Sequence, residues 1–378
     1  MDLAANWFPD VPHARRRALP GIERTGPARV RKRGRVLWDF ASNDYLGLAW
    51  HPEVRQAAIR AIETKGLGAT GSRLVTGDDP ELHALEAELA DWLGFPAALV
   101  VGSGFLLNTG LLAALGGRST HLFADKLVHA SLIDGARLHF GQSFRFPHRD
   151  YARLARLLRA KSGRRNLIVT DGVFSMDGDV ADLKALLALA EQYEALVVAD
   201  DAHGIGVLGS GRGAAEVQGV LGHPLLVLVG TFGKAFGGYG AFVLAAREII
   251  EGLVQRMRTL IFSTALPPAI PAAMRTSLRL VREGSLVRAL QARIAHFRAR
   301  ASSLGLGARA AAIQPVILGE DEAALRASRM LEAAGFFAPA IRPPTVPEGA
   351  ARLRITLSAA QPTEAIDALV DALGEILR

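Results

Sequence analysis

The chain contains no cysteine. That absence excludes disulfide frameworks, thiolate nucleophiles, Cys-ligated zinc and iron–sulfur clusters. Long apolar runs are missing too, and none approaches the roughly 18 residues a membrane-spanning helix needs. The stretch Met1 to Pro20 holds no apolar core of a secretion signal, and Asp2 and Asp10 argue against a transit peptide. The expectation is a cytoplasmic protein without a membrane partner. Aromatic residues are sparse at 6%, and lysine is rarer still, with six lysines in a Lys+Arg total of 44. What is there is ordinary for a globular protein: 50% hydrophobic and 21% charged residues. That apolar content excludes disorder over most of the length. At about 100–200 residues per domain, 378 residues suggest two domains, or one with a smaller appendage.

Formal charge is +7, and the densest basic cluster is Arg15, Arg16, Arg17, Arg24, Arg29, Arg31, Lys32, Arg33 and Arg35. It lacks aromatic interleaving and any nucleic-acid motif. We read it as solvated surface with a few anion contacts and expect no nucleic-acid partner.

Three regions follow from the pattern. Residues 1–45 are polar and broken by Pro and Gly, an N-terminal arm with a hairpin around Gly34 and a strand at Val36–Phe40. Residues 46–265 alternate strands and helices. Strand-like runs fall at Ala97–Val101, Thr120–Phe123, Leu167–Thr170, Ala195–Ala199, Leu225–Val229 and Ala241–Leu244. Helical spacing marks Glu81–Leu93, Phe105–Leu115, Tyr151–Ala160 and Ala181–Tyr193. Such alternation implies an α/β fold with a mostly parallel sheet wrapped by helices. Pro267, Pro268 and Pro271 mark a boundary, and residues 266–378 read as a smaller α+β domain.

Four short motifs sit at strand ends. Thr231-Phe232-Gly233-Lys234 follows an apolar strand, and a lysine there can lose its proton when desolvated and form a Schiff base. It is not a P-loop, because Ala235 stands where Ser or Thr is needed and the upstream glycine is missing. Asp200-Asp201-Ala202-His203 ends another strand, where open α/β sheets bind ligands. The following Gly204-Ile205-Gly206-Val207-Leu208-Gly209 matches the dinucleotide fingerprint in letters only, since two acids occupy the place of a pyrophosphate. Gly102-Ser103-Gly104-Phe105 opens a helix whose free N–H groups suit one phosphate. His129 lies in Val128-His129-Ala130-Ser131. Taken singly, each has a plain structural reading: a loop lysine, a helix cap, a strand–helix turn, a packed histidine. Together they are the parts of a pyridoxal-phosphate site.

In this combination the chain resembles the α-oxoamine synthases, pyridoxal-phosphate enzymes of aminotransferase-like fold type I. The likeness runs from Asn43-Asp44-Tyr45-Leu46-Gly47-Leu48 through Gly172-Val173-Phe174-Ser175-Met176-Asp177-Gly178 to Arg352-Leu353-Arg354. It implies a large domain with a seven-stranded sheet, a smaller C-terminal domain, an N-terminal arm and a homodimer. By that resemblance Lys234 binds pyridoxal 5′-phosphate covalently, Asp200 meets the ring nitrogen, His203 the ring oxygen, and His129 stacks on the ring. Ser175 lies at the ring edge. Gly104, Phe105 and Thr231 hold the phosphate, with Thr264 reaching that of the other subunit. Arg354, Thr345, Asn43 and His129 face substrate, as does one N-terminal arginine: Arg17 by spacing, with Arg15 and Arg16 left open. No metal is implied. Ala340-Ile341-Arg342-Pro343-Pro344-Thr345-Val346-Pro347, after Ile313-Gln314-Pro315, resembles the biotin-biosynthetic branch that joins L-alanine to a pimeloyl thioester. A glycine-using branch is the alternative. The acyl carrier, coenzyme A or a carrier protein, stays open.

Overall fold

Three sheets organise the chain, seen in a computed structural model that describes Trp7, residues 10–161 and residues 165–378. Met1 and Asp2, at the start of the N-terminal arm, lie outside the described residues. β1 (Glu23–Gly26), β2 (Arg29–Lys32) and β3 (Arg35–Asp39) form an antiparallel meander, with Arg33 and Gly34 turning between β2 and β3. The central sheet contains β4 (Ala97–Val101), β5 (Thr120–Asp125), β6 (Gln142–Phe146), β7 (Arg165–Asp171), β8 (Ala195–Asp200), β9 (Leu226–Thr231) and β10 (Ala241–Ala245). Their order is β4-β10-β9-β8-β7-β5-β6, and the pairs from β9 to β6 are parallel while β10 runs antiparallel to both neighbours. This is the seven-stranded, mostly parallel sheet expected. In the C-terminal part, β11 (Ile313–Gly319), β14 (Ala351–Thr356) and β13 (Ala340–Ile341) make a three-stranded antiparallel sheet. β12 (Phe336–Phe337) instead pairs parallel with β3, so the N-terminal hairpin hydrogen-bonds to the C-terminal part.

Alternation along the central strands explains the layers. Val197 and Ala199 of β8 join one core, and Val198 joins a second core on the opposite face. Both faces of a parallel sheet must be covered, which is why these strands are apolar throughout. The helix Pro80–Leu93 shows how local signals place a cover. The Asp79 side chain accepts from Glu81 N–H, Pro80 starts the first turn, and Gly94 ends it in the left-handed region. Leu82, Leu85, Leu89 and Leu93 form its buried stripe.

The structure departs from the sequence reading in places with identifiable causes. β6 and the helices Pro52–Lys65 and Ala130–Leu138 were not expected. β6 is largely exposed at its start and short of apolar residues, so it lacks the signal of a buried strand. Pro271 falls inside the helix Ala269–Glu283. It stands in the first turn, where a missing N–H costs no intrahelical bond.

Candidate functional site

The carboxyl ends of β7, β8 and β9 form the floor of the site. Strand register sets Asp171 opposite Asp200, so two carboxylates emerge side by side. Asp201 follows directly and is fully buried. A Cβ at Gly172 would come within 2.4 Å of Asp201 Oδ1, and one at Gly204 within 2.0 Å. Glycine at both positions therefore makes room for the acid. Beyond β9 the loop turns back through Gly237, at φ +68°. A Cβ there would sit 2.1 Å from the backbone nitrogen of Ala49, so only glycine lets the lysine-bearing loop close against that segment.

Lys234 faces this acidic floor. Burial lowers its pKa and Asp200 raises it, leaving it at about 8. Burial and the neighbouring Asp200 push Asp171 well above the carboxylate range. Burial likewise lifts Asp201 to about 8, although Ala214 N–H donates to its Oδ2 at 2.7 Å. Asp200 is the best supplied with donors: Asn108 Nδ2 at 2.6 Å on Oδ2 and Ala202 N–H at 3.1 Å on Oδ1.

Two histidines flank the floor. His129 caps the helix Ala130–Leu138, and its Nδ1 lies 2.7 Å from Ser131 Oγ and 3.3 Å from Ser131 N–H. Asp171 Oδ1 accepts from His129 N–H at 3.1 Å. Burial lowers the His129 pKa. Burial and the Lys234 charge hold His203 well below the usual imidazole range. Both rings are therefore neutral near pH 7. His203 Nδ1 shares a 2.7 Å hydrogen bond with the hydroxyl of fully buried Tyr45, which donates to Asn43 Oδ1 at 3.1 Å.

A cluster of arginines forms the mouth. Arg354, on β14, donates to Ser175 O at 2.6 Å and through both terminal nitrogens to Asn43 Oδ1 at 3.2 Å. Arg352 holds Asp177 at 2.6 Å and Met176 O at 3.2 Å. Two arginines thus clamp the segment carrying Ser175. Further out, Arg15 is neutralised by Asp321 at 2.8 Å and Glu348 at 2.6 Å. Arg16 lies 3.8 Å from Asp10. Arg17 Nη2 reaches Thr345 Oγ1 at 3.4 Å, with no ion pair among the described residues. Arg15, Arg17, Arg342 and Thr345 line a cavity of about 180 Å³.

The phosphate side is a turn and a helix end. Ser103 Oγ accepts from Leu106 N–H at 3.3 Å, and Gly104 opens the helix Gly104–Leu115. A Cβ at Gly104 would meet nothing within 4 Å, so space lies open before the turn. Phe105 is half exposed. Thr231 ends β9, its hydroxyl donating to Gly240 O at 3.0 Å and accepting from Gly233 N–H at 3.2 Å. Thr264 stands apart from the floor, exposed on the segment after Phe262.

The donor set suits pyridoxal phosphate. It combines a desolvated lysine with no hydrogen bond among the described residues, a hydrogen-bonded carboxylate, neutral rings and free helix N–H groups. Sequence reasoning missed Tyr45, Asn108, Ser131 and Asp171 as parts of this constellation. The signal for Asn108 was its place four residues after Gly104, one helical turn along the same face. Asp171 had the same strand-end position as Asp200.

Known proteins resemble this chain over most of its length. Residues 35–373 match the family aminotransferase class I and II. The 8-amino-7-oxononanoate synthase of Methylococcus capsulatus is 48% identical over 358 residues, 94% of this chain and 92% of that protein. Among solved structures, serine palmitoyltransferase of S. paucimobilis, with PLP and myriocin bound, superposes with a TM-score of 0.90 at 29% identity, over 94% of this chain and 92% of that one. The 8-amino-7-oxononanoate synthase of Francisella tularensis gives 0.78 at 29% identity, over 90% and 97%.

Proposed function

We propose, from the premise that the chain belongs to the 8-amino-7-oxononanoate synthase family within the class I and II aminotransferases, that its site condenses L-alanine with a pimeloyl thioester. The products are 8-amino-7-oxononanoate, carbon dioxide and the free thiol. The observation that carries this reading is the desolvated Lys234 set against Asp200 at the ends of adjacent strands, below the Arg354 clamp.

Pyridoxal 5′-phosphate, when bound, supplies a ring that withdraws electrons from the bonds of an amino acid attached to it. The chain's residues do the rest. Lys234 Nζ would hold the cofactor and is the residue that would take the Cα proton of alanine; a pKa of about 8 keeps part of it neutral near pH 7. Asp200 would hold a proton on the ring nitrogen, and His203 would meet the ring oxygen. His129 would pack on the ring face, with Ser175 at its edge, as the family resemblance implies. Gly104, Phe105 and Thr231 bind the phosphate. Arg354 grips the alanine carboxylate with a planar fork, which sets the torsion about Cα. Asn43 orients that fork. Arg17 and Thr345 meet the acyl substrate.

The test is a spectrum followed by an assay. Protein loaded with pyridoxal phosphate should absorb in the visible and bleach with borohydride. Radiolabelled alanine with pimeloyl-coenzyme A or a pimeloyl carrier protein should yield product, and comparing the two names the acyl carrier. Faster turnover of glycine with acetyl-coenzyme A would assign the chain to the glycine-using branch instead.

The working unit of this reading is a homodimer. Leu74, Val75, Phe105 and Phe262 are exposed hydrophobics. They lie on segments in mutual contact: Ala265 N–H donates to Gly71 O at 2.9 Å and Thr259 Oγ1 to Leu106 O at 2.8 Å. A second copy would cover this surface, and Thr264 beside it would reach the partner's phosphate. Mixing Lys234→Ala chains with Thr264→Ala chains should restore activity, because one site of the mixed dimer then carries neither lesion. No recovery despite demonstrated subunit exchange would refute the shared site.

A further inference from the structure

Asn108 lies in the buried helix Gly104–Leu115, 92 residues from Asp200 in sequence and 2.6 Å from it in space. Its amide has two N–H donors and one acceptor. One N–H goes to Asp200 Oδ2 and the other to Ser131 Oγ at 2.9 Å. Turning the amide over would set its oxygen against a carboxylate oxygen in place of a donor, so the contact with Asp200 Oδ2 fixes which way Asn108 points. Ser131 Oγ then accepts a hydrogen bond from Asn108 and must direct its own O–H elsewhere. The acceptor at hand is His129 Nδ1, 2.7 Å away. The Ser131 backbone N–H points at the same nitrogen from 3.3 Å, so the imidazole proton resides on Nε2.

We propose that Asn108 is a positioning residue whose hydrogen-bond relay through Ser131 ties the carboxylate of Asp200 to the ring of His129, fixing both groups that grip the cofactor ring. The two links that Asn108 makes, to Asp200 and to Ser131, are buried, so water does not substitute for either, while the link from Ser131 to His129 is part-buried at the edge of the site. Asn108 Oδ1 is itself buried without a partner. An unsatisfied oxygen costs stability, and the two directed donors are what the position gains for it. The relay also makes His129 Nε2 a hydrogen-bond donor toward substrate and not a base. The inference rests on the pyridoxal-phosphate reading above.

Two variants test it, read by cofactor affinity and by the ¹⁵N resonances of His129 in histidine-labelled protein. Asn108→Ala should weaken cofactor binding by about tenfold or more, the loss typical of a hydrogen bond to a charged group. It should also shift His129 Nδ1. Ser131→Ala keeps the Asp200 link and breaks the other. It should bind cofactor within about threefold of the parent, while its His129 Nδ1 resonance moves downfield for want of the O–H donor. A folded Asn108→Ala protein with parental affinity and an unmoved His129 resonance overturns the relay. Should Asn108→Ala fail to fold, Ser131→Ala decides alone: a shifted Nδ1 supports the relay and an unshifted one overturns it. The parent's own visible band separates the two ideas. If the parent takes up no pyridoxal phosphate, the functional reading fails, and the resonances of cofactor-free protein still report the relay.

Discussion

The floor of the site and its mouth handle charge in opposite ways. At the floor, buried Asp171, Asp200 and Asp201 crowd around half-buried Lys234, and desolvation shifts protonation: Asp171 rises, Asp201 rises to about 8 and Lys234 falls to about 8. At the mouth, Arg15, Arg17, Arg352 and Arg354 are guanidinium groups that stay charged throughout the physiological range. Their differences lie in partners. Arg15 is neutralised by two carboxylates, Arg352 by Asp177, whereas Arg354 meets only neutral oxygens and Arg17 only a hydroxyl. A floor built this way moves protons; a mouth built this way binds anions. Substitutions at the floor should therefore lower kcat, and those at the mouth should raise KM.

The largest effect belongs to the floor. Lys234→Ala should lose turnover by at least about 10⁴-fold, since one side chain supplies both the covalent link and the base. Near-parental condensation in a stopped assay would break the assignment. Asp200→Asn should cost roughly 10²–10³-fold in kcat, as expected when a group that stabilises transition-state charge is removed. Exchange of the alanine Cα–H with deuterated solvent should slow in parallel, and unchanged exchange would refute the role.

The mouth should respond differently. Arg354→Ala should raise KM for alanine by roughly 10–100-fold, the range of a lost charge-assisted hydrogen bond. Arg354→Lys should recover part of this, having charge without the fork. Cofactor affinity measured in both variants should stay close to the parent. A drop in cofactor affinity as large as the rise in KM would erase the distinction between the two regions.

Much of the floor could be read from the chain, because its groups announce themselves locally. Lys234 sits among glycines in a chain poor in lysine, and Asp200 ends an apolar run. The supporting shell could not be read this way. Asn108 lies inside a helix apolar on all sides, and its partner is 92 residues away. Tyr45 is fully buried, yet its hydroxyl joins Asn43 to His203, a pairing 158 residues apart that no local pattern marks. Strand direction left no mark either, since β10 is as apolar as its parallel neighbours although it runs against them. The pairing of β12 with β3 joins residues near 38 and 336, beyond any window of periodicity. As for the N-terminal arginines, spacing favours Arg17 with Arg15 and Arg16 left open, and their partners differ: Arg15 faces two carboxylates, Arg17 faces Thr345.

Between floor and mouth lies the segment that carries Ser175, and a pH experiment probes what holds it. His148 bridges Asp125 at 3.0 Å and Asp179 at 2.8 Å. Burial pulls its pKa down, but the hydrogen bonds to both carboxylates outweigh that and lift it to about 9 from 6.5. A folded pKa above the unfolded one stabilises fully below pH 6.5 and is lost as pH rises through 9. The change amounts to at most roughly 3 kcal/mol. Denaturant titrations between pH 6 and 10 should show this fall, and His148→Gln should flatten it. An equally steep fall in the variant would place the titrating group elsewhere.

The smallest effect tests the outer mouth. If charge at the mouth binds only where no carboxylate already neutralises it, Arg17 and Arg15 must behave differently despite being two residues apart. Arg17 is exposed and reaches only Thr345. Removing an exposed charge interaction changes binding modestly, so Arg17→Ala should raise KM for the acyl thioester by up to about fivefold, with the effect shrinking as salt is added. KM for alanine should hold steady, because in the proposed site that substrate meets Arg354, a buried residue, and not Arg17. Arg15→Ala should leave both KM values unchanged, since its guanidinium is already neutralised by Asp321 and Glu348. It should instead loosen the N-terminal segment, read as faster proteolysis near residue 15. The decisive measurement is KM for the acyl donor in both variants at low and high salt. Equal effects from Arg15 and Arg17 would show that net positive charge, and not an unpaired guanidinium, recruits the acyl substrate.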